Sequence, residues 1–166
     1  MNIADITTAS KDIIAMLGEY HNAPRREMHL DPMLYALLKG RFTHIARQHH
    51  VRIYGSPRPK RIDFRYGGSN PVVIEFAVRP PNGGGQLYGT QNVSELRKLC
   101  RVSSTQARHR VLLLIDLCPS ELAKDNLRAT YTRTHAGPGK FTRNDVRVVY
   151  VHDSLSYDFV WSPFQS

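Results

Sequence analysis

Asp63 and Glu75 are the side chains best suited to chemistry, because each is an acid set inside a strand-like apolar run. The stretch KRIDFRYGGSNPVVIEFAVR, residues 60–79, reads as two β-strands joined by a Gly-Gly-Ser-Asn-Pro turn. Alternation places Ile62, Phe64 and Tyr66 on one face of the first strand, and Arg61, Asp63 and Arg65 on the other. In the second strand Val72, Ile74, Phe76 and Val78 oppose Val73, Glu75, Ala77 and Arg79. Both runs are rich in β-branched and aromatic residues, which suits a sheet in or near a core. Two acids on neighbouring strands repel and are costly to bury without a positive partner. A divalent cation is the simplest such partner, and Mg²⁺ is usually held by one or two carboxylates with phosphate and water. The alternative is ordinary ion pairing with Arg61, Arg65 and Arg79.

The flanking residues must form the elements that hold these acids. Ser10 is a candidate cap for a helix over 11–20, with Ile13, Ile14, Leu17 and Tyr20 at helical spacing. HNAPRRE, residues 21–27, reads as a basic linker. Asp31-Pro32 is a helix-start signal, and Met33 or Leu34, then Leu37, Leu38, Phe42 and Ile45, extend a helical stripe to about Gln48. His49 and His50 end that helix, beside His44, in a structural or solvent-exposed role. Val51 to Tyr54 is a short strand, followed by the stiff basic turn Gly55 to Pro59. After the central strands, 80–92 is a Gly/Pro/Asn-rich connection, a candidate rim to the site. Asn92 with Glu95 resembles a capping box for a helix over 93–102. VLLLIDL, 111–117, reads as a strand covered on both faces. A helix from Pro119-Ser120 to Tyr131, a Gly/Pro-interrupted basic segment 132–145, a strand 146–151 and a closing strand at 157–161 complete the chain. The expected architecture is mixed α/β, a central mixed sheet with helices on both faces.

The 166 residues suit one domain, 1–166. Lys plus Arg exceed Asp plus Glu by 23 to 14, a formal charge of +9, which favours a polyanionic partner. Cys100 and Cys118 form no metal-binding spacing and no disulfide framework. No signal peptide is visible, and the run at 111–115 is too short to span a bilayer. A soluble cytoplasmic protein without a membrane partner is therefore expected.

A helix, a three-strand meander with Asp on its second strand and Glu on its third, then a helix and a fourth strand, resembles the PD-(D/E)xK nuclease superfamily. The residues carrying the resemblance are Arg61 to Phe64, Val73 to Ala77, Ser94 to Leu99 and Val111 to Asp116. It covers about 27–117, an αβββαβ restriction-endonuclease-like core with an N-terminal helix at 10–20 and an extension over 119–162. The resemblance implies that Asp63, Glu75 and the Phe76 carbonyl hold Mg²⁺ or Mn²⁺. It also implies a lysine two residues beyond the Glu, where this chain has Ala77. Arg79 lies on the same face but about 13 Å from Glu75 along the strand. Lys98, on the next helix, is the other substitute, with a solvated surface lysine as its alternative. Some members carry a Glu on the first core helix, and Glu27 is the nearest counterpart.

The implied activity is hydrolysis of phosphodiester bonds, in DNA rather than RNA. Arg58, Lys60, Arg61, Arg79, Lys140 and Arg143, with Arg133, are the candidate phosphate contacts, and Phe141 a candidate stacking residue. Nucleases that cut both strands often pair, so a homodimer is among the expected states. The alternatives are a non-catalytic nucleic-acid-binding domain on the same fold, its site eroded at Ala77, and a protein-interaction domain.

Overall fold

The computed structural model describes residues 1–19, 27–83, 87–134 and 144–163. Ten elements follow in chain order: α1 (Ile3–Glu19), α2 (Glu27–Arg41), β1 (Ile45–Val51), β2 (Lys60–Tyr66), β3 (Val72–Arg79), α3 (Val93–Leu99), β4 (His109–Asp116), α4 (Lys124–Thr132), β5 (Val146–Val151) and β6 (Ser156–Trp161). The strands form one six-stranded sheet in the order β1-β2-β3-β4-β5-β6. β1, β2 and β3 pair antiparallel, β3, β4 and β5 pair parallel, and β6 returns antiparallel to β5.

Helices cover both faces, as the apolar pattern anticipates. Ile6, Ile13, Leu17, Leu30, Leu34 and Leu38 of α1 and α2 pack on Ile74, Phe76, Leu113 and Val149. On the other face Leu96 and Leu99 of α3 and Leu127 and Tyr131 of α4 pack on Val73, Ala77, Leu112, Leu114 and Val148. β4 is therefore buried on both sides, which is why its apolar run shows no alternation. No described helix is long and apolar enough to cross a membrane.

Several boundaries differ from the sequence-based expectation, each for a physical reason. α1 begins seven residues before Ser10, whose hydroxyl is buried and donates to the Ile6 carbonyl at 2.9 Å. Its real start is a reciprocal box: Asn2 N–H donates to Asp5 Oδ2, and Asp5 N–H donates to Asn2 Oδ1. α2 starts at Glu27 and carries Pro32 inside it. Asp31 does not cap it. The residue is buried and accepts from Arg47 Nε of β1 at 2.7 Å. α2 also ends at Arg41 rather than Gln48, because 45–51 pairs with β2 as an edge strand. His49 and His50 therefore lie in a strand. α3 is seven residues long, and Asn92 at its cap position makes no side-chain cap bond, donating instead to the Tyr88 carbonyl and Tyr131 hydroxyl. α4 starts at Lys124, not Pro119, because 117–123 is pinned as a loop: Tyr150 and Tyr157 hydrogen-bond Leu122, and Arg79 donates to the Ser120 carbonyl.

The β1–β2 hairpin turns over midway. Ile45 and Phe64 pack with α1 and α2, whereas Val51 and Ile62 pack on the opposite face. Ile62 and Phe64 thus do not share a face, contrary to simple alternation. The inversion falls where the ladder skips one pair, Gln48 and Asp63. Gln48 has φ 55°, the left-handed region that side chains with a Cβ rarely occupy. Gln48→Gly is expected to raise stability by about 0.5–1 kcal/mol and Gln48→Val to lower it by about 1–2 kcal/mol. Urea-denaturation midpoints of the two variants check this.

Candidate functional site

The site lies where β2 and β3 part. Their ladder runs Tyr66–Val72, Arg65–Val73, Phe64–Ile74 and then stops. Beyond it the Phe76 N–H donates not to a strand partner but to Asp63 Oδ2, at 3.1 Å. N–H and C=O of one residue point to the same side of an extended strand, so the Phe76 carbonyl also faces this opening. Asp63 is half-buried and owes its position to the turnover of the hairpin.

Glu75 is 2% exposed and points to the α3 side of the sheet. Lys98 reaches down from α3, its Nζ 2.5 Å from Glu75 Oε1 and 3.1 Å from the Arg61 carbonyl oxygen. Glu75 Oε1 nonetheless accepts no well-directed hydrogen bond among the described residues. Burial is the largest influence on the Glu75 carboxyl, followed by the charge and hydrogen bonding of Asp63, and these push it up to about 9 against the pull of Lys98. Lys98 would favour the ionised form. Burial beside a second acid outweighs it.

Glu27 joins the group from the first position of α2. Loss of hydration, then Asp63, Glu95 and Asp31, raise the carboxyl of this residue to about 7 although much of it is exposed, with Lys98 opposing. Lys98 thus contacts Glu75 and acts at longer range on Glu27. Asp63, Glu75 and Lys98 are brought together, and neither strand acid is locked onto an arginine of its own strand. Glu95, expected as part of a cap, adds negative charge that reaches Glu27.

The other candidates divide. Arg58, Lys60 and Arg61 are exposed on the hairpin. Arg79 is not available to a phosphate: it is 7% exposed, donates to both Asp116 oxygens at 2.7 and 2.5 Å, and donates again to Ser120. Arg133 lies just past α4 and is exposed. Lys140, Phe141 and Arg143 lie outside the described residues. Ala77 is 8% exposed and packs in the core beneath α3 and α4, so its small side chain suits packing rather than charge.

Among the described residues no three His, Cys, Asp or Glu side chains converge closely enough to hold a metal by themselves, the histidines at 44, 49 and 50 included. The donor chemistry is that of a hard cation completed from outside. Two carboxylates and a backbone carbonyl face one opening, and Mg²⁺ takes its remaining ligands from water and phosphate. The Lys98 ammonium already stands 2.5 Å from Glu75 Oε1, so a metal ion held by that oxygen would have to displace it.

Comparison of the chain with protein-family models and curated proteins, and of its fold with solved structures, returned no match.

Proposed function

We propose that this chain is a metal-dependent nuclease that hydrolyses phosphodiester bonds in DNA, on a restriction-endonuclease-like fold. The observation that carries the proposal is the convergence of Asp63, Glu75 and Lys98 at the opening between β2 and β3. The order α2-β1-β2-β3-α3-β4 supports the same reading, with the Asp and Glu on the second and third strands. Asp63, Glu75 and the Phe76 carbonyl would hold Mg²⁺ or Mn²⁺. When bound, the cation supplies charge that acidifies an attacking water and offsets charge on the scissile phosphate.

The chain's own residues supply the rest. Lys98 brings a cation to the site from outside the strand, the role Ala77 cannot fill. Its ammonium can follow charge from Glu75 to an incoming phosphate oxygen, because one end of the contact is poorly directed. Glu27 adds negative charge near Asp63. Lys60 and Arg61 lie on the strand that carries Asp63 and are placed to hold the backbone without reading sequence.

The Lys98–Glu75 pair also favours a second reading, a non-catalytic nucleic-acid-binding domain in which lysine permanently occupies the cation's place. One experiment separates them. Linear, circular and branched DNA, and RNA, are incubated with wild type and with Asp63→Asn in Mn²⁺, Mg²⁺ or EDTA. Cleavage by wild type in Mn²⁺, reduced about 100-fold or more in Asp63→Asn, is the expected result. Salt-sensitive DNA binding with no cleavage in either metal selects the second reading.

A further inference from the structure

Most of the chain's excess positive charge sits on one hairpin. β1, β2 and their turn, residues 45–66, hold six Lys and Arg against one acid, Asp63, a balance of +5 within a chain total of +9. Arg47 is paired with Asp31 of α2. Arg52, Arg58, Lys60, Arg61 and Arg65 take part in no ion pair among the described residues. The ladder of β2 with β3 begins only at Phe64, so the outer half of the hairpin is a ribbon of two strands. One face of this ribbon is closed, because Val51, Ile53 and Ile62 pack in one core with Leu96 and Leu99 of α3. Alternation turns His50, Arg52 and Arg61 to the other face. All three are exposed, and α1 and α2 cover that face at Ile45, Arg47 and Phe64, further in. His50 and Arg61 are opposed across the ladder, with their Cβ atoms about 5 Å apart. Arg52 lies about 6.6 Å along the strand from His50. Arg61 also borders the candidate site: Asp63 follows on the same strand, and the Arg61 carbonyl accepts from Lys98 Nζ at 3.1 Å.

A face that offers charge without an aromatic ring recognises phosphates and leaves bases alone. The exposed ring of the hairpin, Tyr54, is turned toward Arg110 instead. Single strands draw much of their affinity from bases stacked on aromatic side chains. Without stacking, affinity follows the density of phosphate, and a duplex carries one charge per about 1.7 Å of axis, twice that of either strand. An anionic membrane is also dense in phosphate, but attachment to it takes buried apolar groups along with charge. His50, Arg52 and Arg61 supply none.

We propose that the outer face of the β1–β2 ribbon seats the backbone of duplex DNA, with Arg52 and Arg61 on its phosphates and His50 between them. It rests on the nucleic-acid reading for its polyanion and on nothing about cleavage. The duplex would then lie along the strand that leads to Asp63.

The test needs no cleavage. Fluorescein-labelled DNA, as a blunt duplex and as a single strand of the same sequence, is titrated by fluorescence anisotropy in EDTA over a range of salt. Vesicles of phosphatidylcholine and phosphatidylserine are assayed in parallel by co-sedimentation. The variants are Arg52→Gln, Arg61→Gln, the two combined and, as a charge-matched control on the exposed side of α4, Arg128→Gln. Circular dichroism verifies that each is folded. Duplex is expected to bind more tightly than single strand. The salt slope for duplex should fall by about 0.9 in each single variant, the loss of one phosphate contact, and by about twice that in the combined variant. Single strand bound as tightly as duplex, ribbon variants that behave like Arg128→Gln, or vesicles bound where duplex is not, would overturn the proposal. Wild type that binds duplex through this face and cleaves in no metal would instead sink the nuclease reading alone.

Discussion

Glu75→Gln is expected to abolish cleavage while making the folded protein more stable. The two effects have one cause. Glu75 is almost completely buried beside Asp63, and burial with that second acid raises its carboxyl to about 9 from an ordinary 4.5. In the absence of divalent cation, the folded state then holds more protons than the unfolded chain between those values. Stability falls as pH rises wherever the folded state binds more protons. The fold should be most stable, as far as this group is concerned, below about pH 4.5, and should lose that contribution progressively up to about pH 9. Glutamine has the same shape and no charge. At pH 8 in EDTA, Glu75→Gln should raise the thermal midpoint by about 3–6 °C, corresponding to about 1–2 kcal/mol. The gain should vanish near pH 5. Cleavage in Mn²⁺ should drop by about 100-fold or more, since an amide oxygen is a poor substitute for a carboxylate on a hard cation. If Glu75 were only half of a stabilising pair with Lys98, the midpoint would fall instead, so the sign of the change discriminates between the two roles.

Asp116→Ala should produce a large loss of stability. Asp116 is 1% exposed and accepts from Arg79 through both oxygens, from the Tyr150 hydroxyl at 2.5 Å and from the Cys118 N–H at 3.0 Å. Its removal strands the Arg79 guanidinium in a buried place with only the Ser120 carbonyl left. Breaking one side of a buried ion pair costs about 3–5 kcal/mol. For a domain of this size that is a drop of roughly 10 °C in the thermal midpoint. The double variant Arg79→Met/Asp116→Leu should recover a large part of the loss, because no uncompensated charge remains. Calorimetry of wild type, the single variant and the double variant closes the cycle. A single variant within about 2 °C of wild type would mean the charge finds water, and the buried-pair account fails.

These two acids differ in how legible they were. Asp63 and Glu75 stand out because each interrupts a β-branched run, a local property. Asp116 closes the run VLLLID and looks like the end of a strand. Its partner becomes known only from the parallel register of β3 and β4, which sets Arg79 directly across from Asp116. Strand spacing put Arg79 on the Glu75 face and made it a plausible phosphate contact. The ion pair across the sheet removes it from that role. Lys98 shows the reverse. Helical periodicity places it opposite the buried Leu96 and Leu99, yet a lysine stem is long enough to fold back over the helix to the sheet.

The sequence by itself determined what depends on neighbours along the chain: the strands β2 to β6, the two-sided burial of β4, the excess of positive charge and the pair of strand acids. Periodicity and composition act over a few residues, so they survive without knowledge of the fold. The tertiary structure alone decided where α2 stops and β1 begins, because Ile45 is apolar in either element and only the ladder with β2 selects the strand. It decided the turnover at Gln48 and Asp63, which strict alternation does not anticipate. It also brought Lys98 onto Glu75 and Asp63 beside it, because charges this far apart in the chain meet only when the sheet and its helices pack.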